Sequence, residues 1–431
     1  MDVLPILILI GVFVLTLAIG IPIAFCLGIS ATAALFVSVD FLPVITTIAQ
    51  RMAASLNSFP LLAIPFFILA GQLMNRGGIA KRLVDFAKGL FGMLPGGLAY
   101  VNVVGAMLFG AVSGSAVAAA SAVGGFMSPQ MKAEGYDKNF SAAVNSTAAT
   151  TGLLIPPSNV LIVYSLASGG VSIAALFLAG YLPGILVGLG LMGVAGYWSF
   201  RASYPTSERL PVSEVLWRFL DSLPSLFMLV VVIGGIVAGI FTATEAAAIA
   251  VVYALILAFV YREVSVGDLP DILLNTVQTT AIVMLLIATS IALSWVLSFE
   301  NIPQLLTEGI LGLTESKILI LLLMNLILLV VGTFMDMTPA VLIFTPLFLP
   351  IATNLGIDPV HFGIILVLNL CVGLCTPPVG TVLFVGAAVG DTTISRMIRP
   401  MVPLWGAMVV SLLLVTYAPW LSLWLPGVFG F

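Results

Sequence analysis

The chain has 431 residues, 61% of them hydrophobic and 7% charged, with a mean hydropathy of +1.24 and a formal net charge of −4. A soluble domain carries about a quarter charged residues, so this composition is that of an all-α polytopic membrane protein. It leaves no basic surface for nucleic acid, and Cys26, Cys371 and Cys375 all lie in apolar segments, where they read as small core residues and not as disulfide or metal ligands.

From the N-terminus, Asp2 stands where a signal peptide would carry positive charge, so no cleavable leader is expected. Apolar runs long enough to cross a bilayer occupy 3–20, 22–39, 59–75, 172–198, 222–240, 244–261, 274–298 and 402–424. The stretch 43–58, which contains Arg51, reads as an interfacial helix. Glu245 reads as a first-turn helix charge at the outer membrane edge, and His361 as an interfacial residue. Two further long runs, 139–165 and 361–389, are each interrupted by Gly-x-x-x-Pro-Pro. The runs 98–127 and 318–349 are ambiguous by length alone.

Loop charge settles them. Lys and Arg gather at 76–88 (Arg76, Lys81, Arg82, Lys88), at Lys132 and Lys138, at Arg201, Arg209 and Arg218, at Arg262, and at Arg396 and Arg399. The positive-inside tendency places these connections in the cytoplasm. The connections carrying Glu300, Glu308 and Glu315, and carrying Asp358, go outside. Both ends of 98–127 are then cytoplasmic and both ends of 318–349 external, so each run is expected to be a re-entrant helical hairpin. Irregular backbone at that depth is tolerated only when buried in protein or lining a wet cavity.

The two halves match. Gly152 pairs with Gly373, Pro156 with Pro377 and Pro157 with Pro378, always 221 residues apart (378 − 157), and so do Ser115 with Asp336, Pro129 with Pro350, Gly135 with Gly356 and Asp137 with Asp358. Residues 1–220 are expected to form a first repeat, with hairpin 98–127 and broken helix 139–165. Residues 221–431 form a second, with hairpin 318–349 and broken helix 361–389. Five crossings plus a hairpin in each copy turn the second copy over, giving about ten crossings and the inverted repeat of secondary transporters. A Pro-Pro pair alone would be a simple kink, and Ser113-Gly114-Ser115 alone could be close helix packing. The recurrence in both halves favours a site.

Glycine and proline release backbone carbonyls, and Ser113, Ser115, Thr333 and Asp336 add side-chain oxygens, a set suited to a hard cation such as sodium. Pro156 and Pro157 deprive the carbonyls of Gly152 and Leu153 of their helical partners, so free carbonyls are expected there. Ser158, Asn159 and Thr381 sit where helices restart after each break; helix N-termini there would attract an anion. No Lys or Arg lies within the core of any apolar run. A carboxylate substrate would be held by helix ends, hydroxyls and bound cations, without an arginine clamp.

With these stretches in place, the chain resembles the large membrane subunit of the tripartite ATP-independent periplasmic (TRAP) transporters along essentially its whole length. The resemblance rests on Phe109-Gly-Ala-Val-Ser-Gly-Ser-Ala116, Gly152-Leu-Leu-Ile-Pro-Pro-Ser158, Gly239-Ile-Phe-Thr-Ala-Thr-Glu-Ala-Ala247, Phe334-Met-Asp-Met-Thr-Pro339 and Gly373-Leu-Cys-Thr-Pro-Pro-Val-Gly380. It implies an elevator-type, sodium-driven importer of organic acids in the bacterial inner membrane. Such a protein works with a periplasmic substrate-binding protein and a small four-helix membrane subunit, here a separate chain. It implies one sodium site at Ser113, Ser115 and the backbone of Gly152, Ile155 and Pro157. A second falls at the Asp336 hairpin, with Thr333 and the backbone of Gly373, Thr376 and Pro378. Ser158, Asn159, Thr338, Gly380 and Thr381 are the candidates for holding the substrate. Two rivals are a stand-alone ion-coupled organic-anion carrier and an anion channel. No His-Glu-x-x-His, no Gly-x-Ser-Gly with a membrane histidine and no Walker loop is present, so no enzyme is expected.

Overall fold

The computed structural model describes residues 4–204, 211–314 and 316–431. Asp2, read above against a leader, and Arg209 and Glu315, used to orient the chain, lie outside the described residues. The described residues are all-helical. The first half runs α1 (Leu4–Ala18), α2 (Ile23–Ser38), α3 (Phe41–Leu56), α4 (Ala63–Arg76, led by a 3₁₀ turn), α5 (Ile79–Phe91), α6 (Gly97–Ser113), α7 (Ala116–Ala133), α8 (Lys138–Thr151), α9 (Asn159–Ala167) and α10 (Ile173–Arg201). The second runs α11 (Val212–Val237), α12 (Ala243–Val260), α13 (Leu269–Phe299), α14 (Ile302–Leu313), α15 (Lys317–Phe334), α16 (Met337–Asn354), α17 (Pro359–Leu374), α18 (Thr381–Val389), α19 (Ile394–Tyr417) and α20 (Trp420–Val428).

Element bounds follow the sequence offset closely. α7 and α16 have 18 residues each and begin 221 residues apart (337 − 116). The paired aspartates have a local reason: Asp137 accepts from the Phe140 N–H at 2.8 Å and caps α8, and Asp358 accepts from the Val360 N–H at 2.7 Å and caps α17. Glu245 closes a capping box with Thr242 at the start of α12. Arg51 of α3 lies 4.8 Å from the Trp295 ring of α13.

Each half folds its chain-broken elements inward. α6 and α7 pack on one another and on α8, while α15 and α16 pack on α17. The short helices then cross over: α9 packs on α16 of the other half, and α18 on α7 and α8. Several hydrogen bonds join the halves, among them these. Tyr164 Oη donates to the Pro359 carbonyl at 2.6 Å, Cys371 Sγ to the Thr150 carbonyl at 3.2 Å, and Lys138 Nζ to the Asp391 carbonyl at 2.7 Å. An outer set of helices flanks this core, touching it through α4 on α6 and α9, α5 on α6, and α13 on α16.

Among the described residues, eight helices are long and apolar enough to cross a bilayer, and α15 and α16 are two of them. Length therefore does not separate a traverse from a returning arm. What distinguishes these two is that their junction, Met335–Asp336, opens on the central cavity described below.

Two expectations fail. The run 402–424 is not one helix: α19 ends at Tyr417, Pro419 stands in the gap, and α20 begins at Trp420. Proline has no N–H to continue the ladder. His361 is buried, not interfacial. Its Nε2 lies 3.4 Å from the Thr416 carbonyl, and Thr416 belongs to a polar chain in which Asn325 Nδ2 donates to Thr416 Oγ1 (3.1 Å) and Asn369 Nδ2 to Asn325 Oδ1 (2.5 Å). The chain fixes α19 against α15 and α17; a histidine at a helix start next to a capping aspartate looks exposed in sequence because the partner helix is distant along the chain.

Candidate functional site

The first tip is made by three residues. α6 ends at Ser113, Gly114 takes φ +63°, and Ser115 is extended at φ −138°. A side chain at Gly114 would be strained in that conformation and would also meet the Asn159 amide, at 2.8 Å from a Cβ. Ser115 Oγ accepts from the Ala118 N–H at 3.2 Å and so caps α7. Behind the tip, Gly110 and Gly152 meet backbone to backbone, and a Cβ on Gly110 would lie 2.8 Å from the Gly152 Cα. The tip is thereby seated directly on the break.

The second tip has the same plan and different chemistry. Asp336 occupies the cap position of α16, but its side chain makes no capping hydrogen bond. The Thr333 carbonyl instead accepts from the Gly380 N–H at 3.1 Å, which ties the end of α15 to the restart of the second broken helix. Gly332 meets Gly373 as Gly110 meets Gly152. Thr333 Oγ1 donates to the Val330 carbonyl (2.7 Å) and Thr376 Oγ1 to that of Val372 (2.6 Å).

The breaks are less open than proline counting suggests. Gly152 O accepts from the Ile155 N–H (3.2 Å), Leu153 O from Ser158 Oγ (2.5 Å), and Gly373 O from the Thr376 N–H (2.9 Å). Trp405 Nε1 of α19 donates to the Cys375 carbonyl at 2.9 Å. A buried carbonyl without a partner is costly, so the chain supplies 3₁₀ turns and side-chain donors. Each of these oxygens retains a second lone pair for a cation. The Pro156–Pro157 and Pro377–Pro378 bonds are both cis. Ser158, expected as a cap and a substrate ligand, is fully buried with its hydroxyl spent on Leu153.

Between the tips lies a cavity of about 310 Å³. Ser113, Ser115, Asn159, Asp336, Thr338 and Thr381 line it. Ser158, Thr333, Gly380 and the backbone group of Gly152, Ile155, Pro157, Gly373, Thr376 and Pro378 are not part of this lining. The first turns of α7, α9, α16 and α18 all open on the cavity, through Ala116–Ala118, Asn159–Val160, Met337–Thr338 and Thr381–Val382. The sequence points to two helix N-termini here; the fold gathers four. Each carries about half a positive charge, and Asp336 is the one ionisable lining residue among those described. Among the described residues no group of three or more His, Cys, Asp or Glu could hold a metal, so the available donors are hydroxyl, amide, carboxylate and carbonyl groups, which suit a hard cation.

Sequence reasoning missed Gln72 and Asn75 of α4 and Thr279 of α13, which form the outer wall of the cavity. They mark no helix break. The available signal was two amides three residues apart near the end of an otherwise apolar run, hence on one helix face. Gly71, beside them, presses on the tip: a Cβ there would lie 3.0 Å from the Ser113 carbonyl.

Residues 10–421 match the family described as "Tripartite ATP-independent periplasmic transporter, DctM component". The chain belongs to this family. It is 55% identical to the protein YgiK of Salmonella typhimurium, over 99% of this chain and 98% of that one. It is 40% identical to the isethionate TRAP transporter permease DctMQ of Oleidesulfovibrio alaskensis, over 98% of this chain and 66% of that one. It is 37% identical to the C4-dicarboxylate TRAP transporter large permease DctM of Rhodobacter capsulatus, over 98% and 99%. A crystal structure of the YdaH transporter of Alcanivorax borkumensis superposes with a TM-score of 0.61 at 14% identity, covering 87% of this chain and 88% of that one, a likeness of fold alone. Membership and the eight bilayer-length helices make this a multi-pass inner-membrane TRAP large subunit.

Proposed function

We propose that this TRAP subunit imports a small organic anion together with sodium, by an elevator motion of the α6–α10 and α15–α19 block across the remaining helices. The observation that carries the reading is the convergence of four helix N-termini, two hairpin tips and the Asp336 carboxylate on one cavity that no Lys, Arg or His lines among the described residues. An anion beside Asp336 would be repelled unless a cation neutralised the carboxylate first. Sodium therefore binds before substrate. One ion sits among Ser113, Ser115 and the break at Gly152–Pro157, the other among Thr333, Asp336 and the break at Gly373–Pro378. The anion is then held by Asn159, Thr338, Thr381 and the helix ends.

In this reading the two halves, 1–220 and 221–431, are inverted repeats, and 98–127 and 318–349 are re-entrant. The outer wall of Gln72, Asn75 and Thr279 belongs to the static part and contacts the anion on one side of the membrane only. Each sodium ion gains about 2.3 kcal/mol per 100 mV on entry. Substrate arrives from a periplasmic binding protein, and a small four-helix subunit completes the membrane complex. The relatives' substrates, a C4-dicarboxylate and isethionate, are small organic acids of a size that about 310 Å³ admits.

The test is uptake by proteoliposomes containing the large and small subunits, with succinate, isethionate and sialic acid as labelled probes. Each is supplied with a periplasmic binding protein that takes that probe. We expect uptake of one probe to need both an inward sodium gradient and the binding protein. Uptake unchanged when potassium replaces sodium would overturn coupling. Uptake without the binding protein would identify a stand-alone carrier, and non-saturating flux a channel.

A further inference from the structure

One end of the inner core gathers positive charge. Lys138 of α8 donates to Asp391, the Asp137 N–H donates to Tyr204 Oη at 3.1 Å, and Tyr136 stacks on Tyr204 with ring centres 4.2 Å apart. The start of α8, the end of α10 and the start of α19 therefore lie together. Two clefts at this end, around Lys132, Lys138 and Arg396, both include Asp391 in their lining. A third does not. It has a volume of about 710 Å³ and lies between α10 and α19, lined by Val194, Tyr197, Trp198, Arg201, Arg399 and Val402 with two smaller residues.

This cleft has three features together. Two arginines from helices far apart in sequence converge on it, and among the described residues no acidic residue lines it and neither arginine has an ion-pair partner. Its floor is held firm, since Trp198 stacks on Phe140 at 5.7 Å with the rings 9° from parallel. Its apolar side opens outward: Tyr197 is 66% exposed and Val402 56%. Arginine pairs recognise phosphate oxygens through fixed forks of N–H donors, and basic pockets between transmembrane helices take anionic headgroups.

From this geometry we propose that the α10–α19 cleft is a binding site for an anionic phospholipid of the inner membrane. Arg201 and Arg399 hold its phosphate, the Trp198 and Tyr197 rings flank the glycerol region, and Val194 and Val402 contact the first part of the acyl chains. A bare phosphate would leave most of about 710 Å³ unfilled and the apolar wall without a partner. The inference is independent of the transport reading, because the cleft shares no residue with the central cavity.

The test is native mass spectrometry of the full-length chain, delipidated in detergent and titrated with dioleoyl phosphatidylglycerol or dioleoyl phosphatidylcholine. Wild type should retain phosphatidylglycerol about tenfold more tightly. The double variant Arg201→Gln/Arg399→Gln should lose that preference, and Lys132→Gln, at a cleft on the same end, should keep it. Equal retention of the two lipids by wild type would overturn the proposal. So would loss of preference in Lys132→Gln, which would mean a diffuse basic surface. Displacement of the lipid by excess inorganic phosphate would also overturn it, in favour of a free-anion site.

Discussion

The two helix breaks follow one residue pattern and close in two different ways. In the first half the tip satisfies itself: Ser115 caps α7, and Asn159 rests on Gly114. In the second half the tip is tied to the restarted helix through Thr333 and Gly380, and the residue at the cap position, Asp336, keeps its carboxylate free of any capping bond. The same backbone thus offers one neutral tip whose serine caps its helix and one whose carboxyl group caps none. Under the proposed cycle, this single serine-to-aspartate difference decides where charge must be neutralised.

The largest effect should come where the halves are most alike. Gly152→Ala and Gly373→Ala each place a methyl group into the backbone of the facing hairpin. We expect a cost of about 3 kcal/mol or more and little folded protein, measured by fluorescence-detected gel filtration. If one variant folds normally, the backbone-to-backbone seat is not shared by both halves. Asp336→Asn should then separate the halves. We expect sodium dependence of uptake to weaken by about tenfold or more while folded yield is retained; unchanged sodium dependence removes Asp336 from the site.

Smaller effects sharpen the contrast. Gln72→Ala and Asn75→Ala should raise the substrate concentration for half-maximal uptake a few-fold and leave sodium dependence alone, as each deletes one hydrogen-bonding side chain worth about 1 kcal/mol. A parallel shift in sodium dependence would place these amides in an ion site. Smallest is Ser115→Ala. It removes a cap worth about 1 kcal/mol, so thermal stability should fall slightly and uptake persist at high sodium. Complete loss of uptake at every sodium concentration would make the first site as demanding as the second.

The helices, the positions of both breaks and both tips were readable in the sequence because glycine, proline and hydroxyl residues mark them locally. Asp137 and Asp358 could even be paired before their capping role was visible. The fate of the broken-helix carbonyls was not readable. Counting prolines identifies which oxygens lose an N–H, but Ser158 supplies a replacement at Leu153 and the Thr376 N–H one at Gly373, and only the folded turn brings them near. Gln72, Asn75 and the buried surroundings of His361 were hidden for a related reason: their meaning lies in helices that pack across the chain. The convergence of four helix starts followed from two hairpins meeting two breaks, an arrangement that no single stretch records.

The exchange of α9 and α18 between the halves bears on whether the two hairpins can move apart. Each short helix leans on a hairpin built by the opposite half, and Tyr164 and Cys371 fasten the seam. Sliding one tip without its counterpart would tear buried packing on both flanks at once. Under the proposed cycle, the two hairpins therefore cross as one carriage, and neither takes its sodium ion across alone.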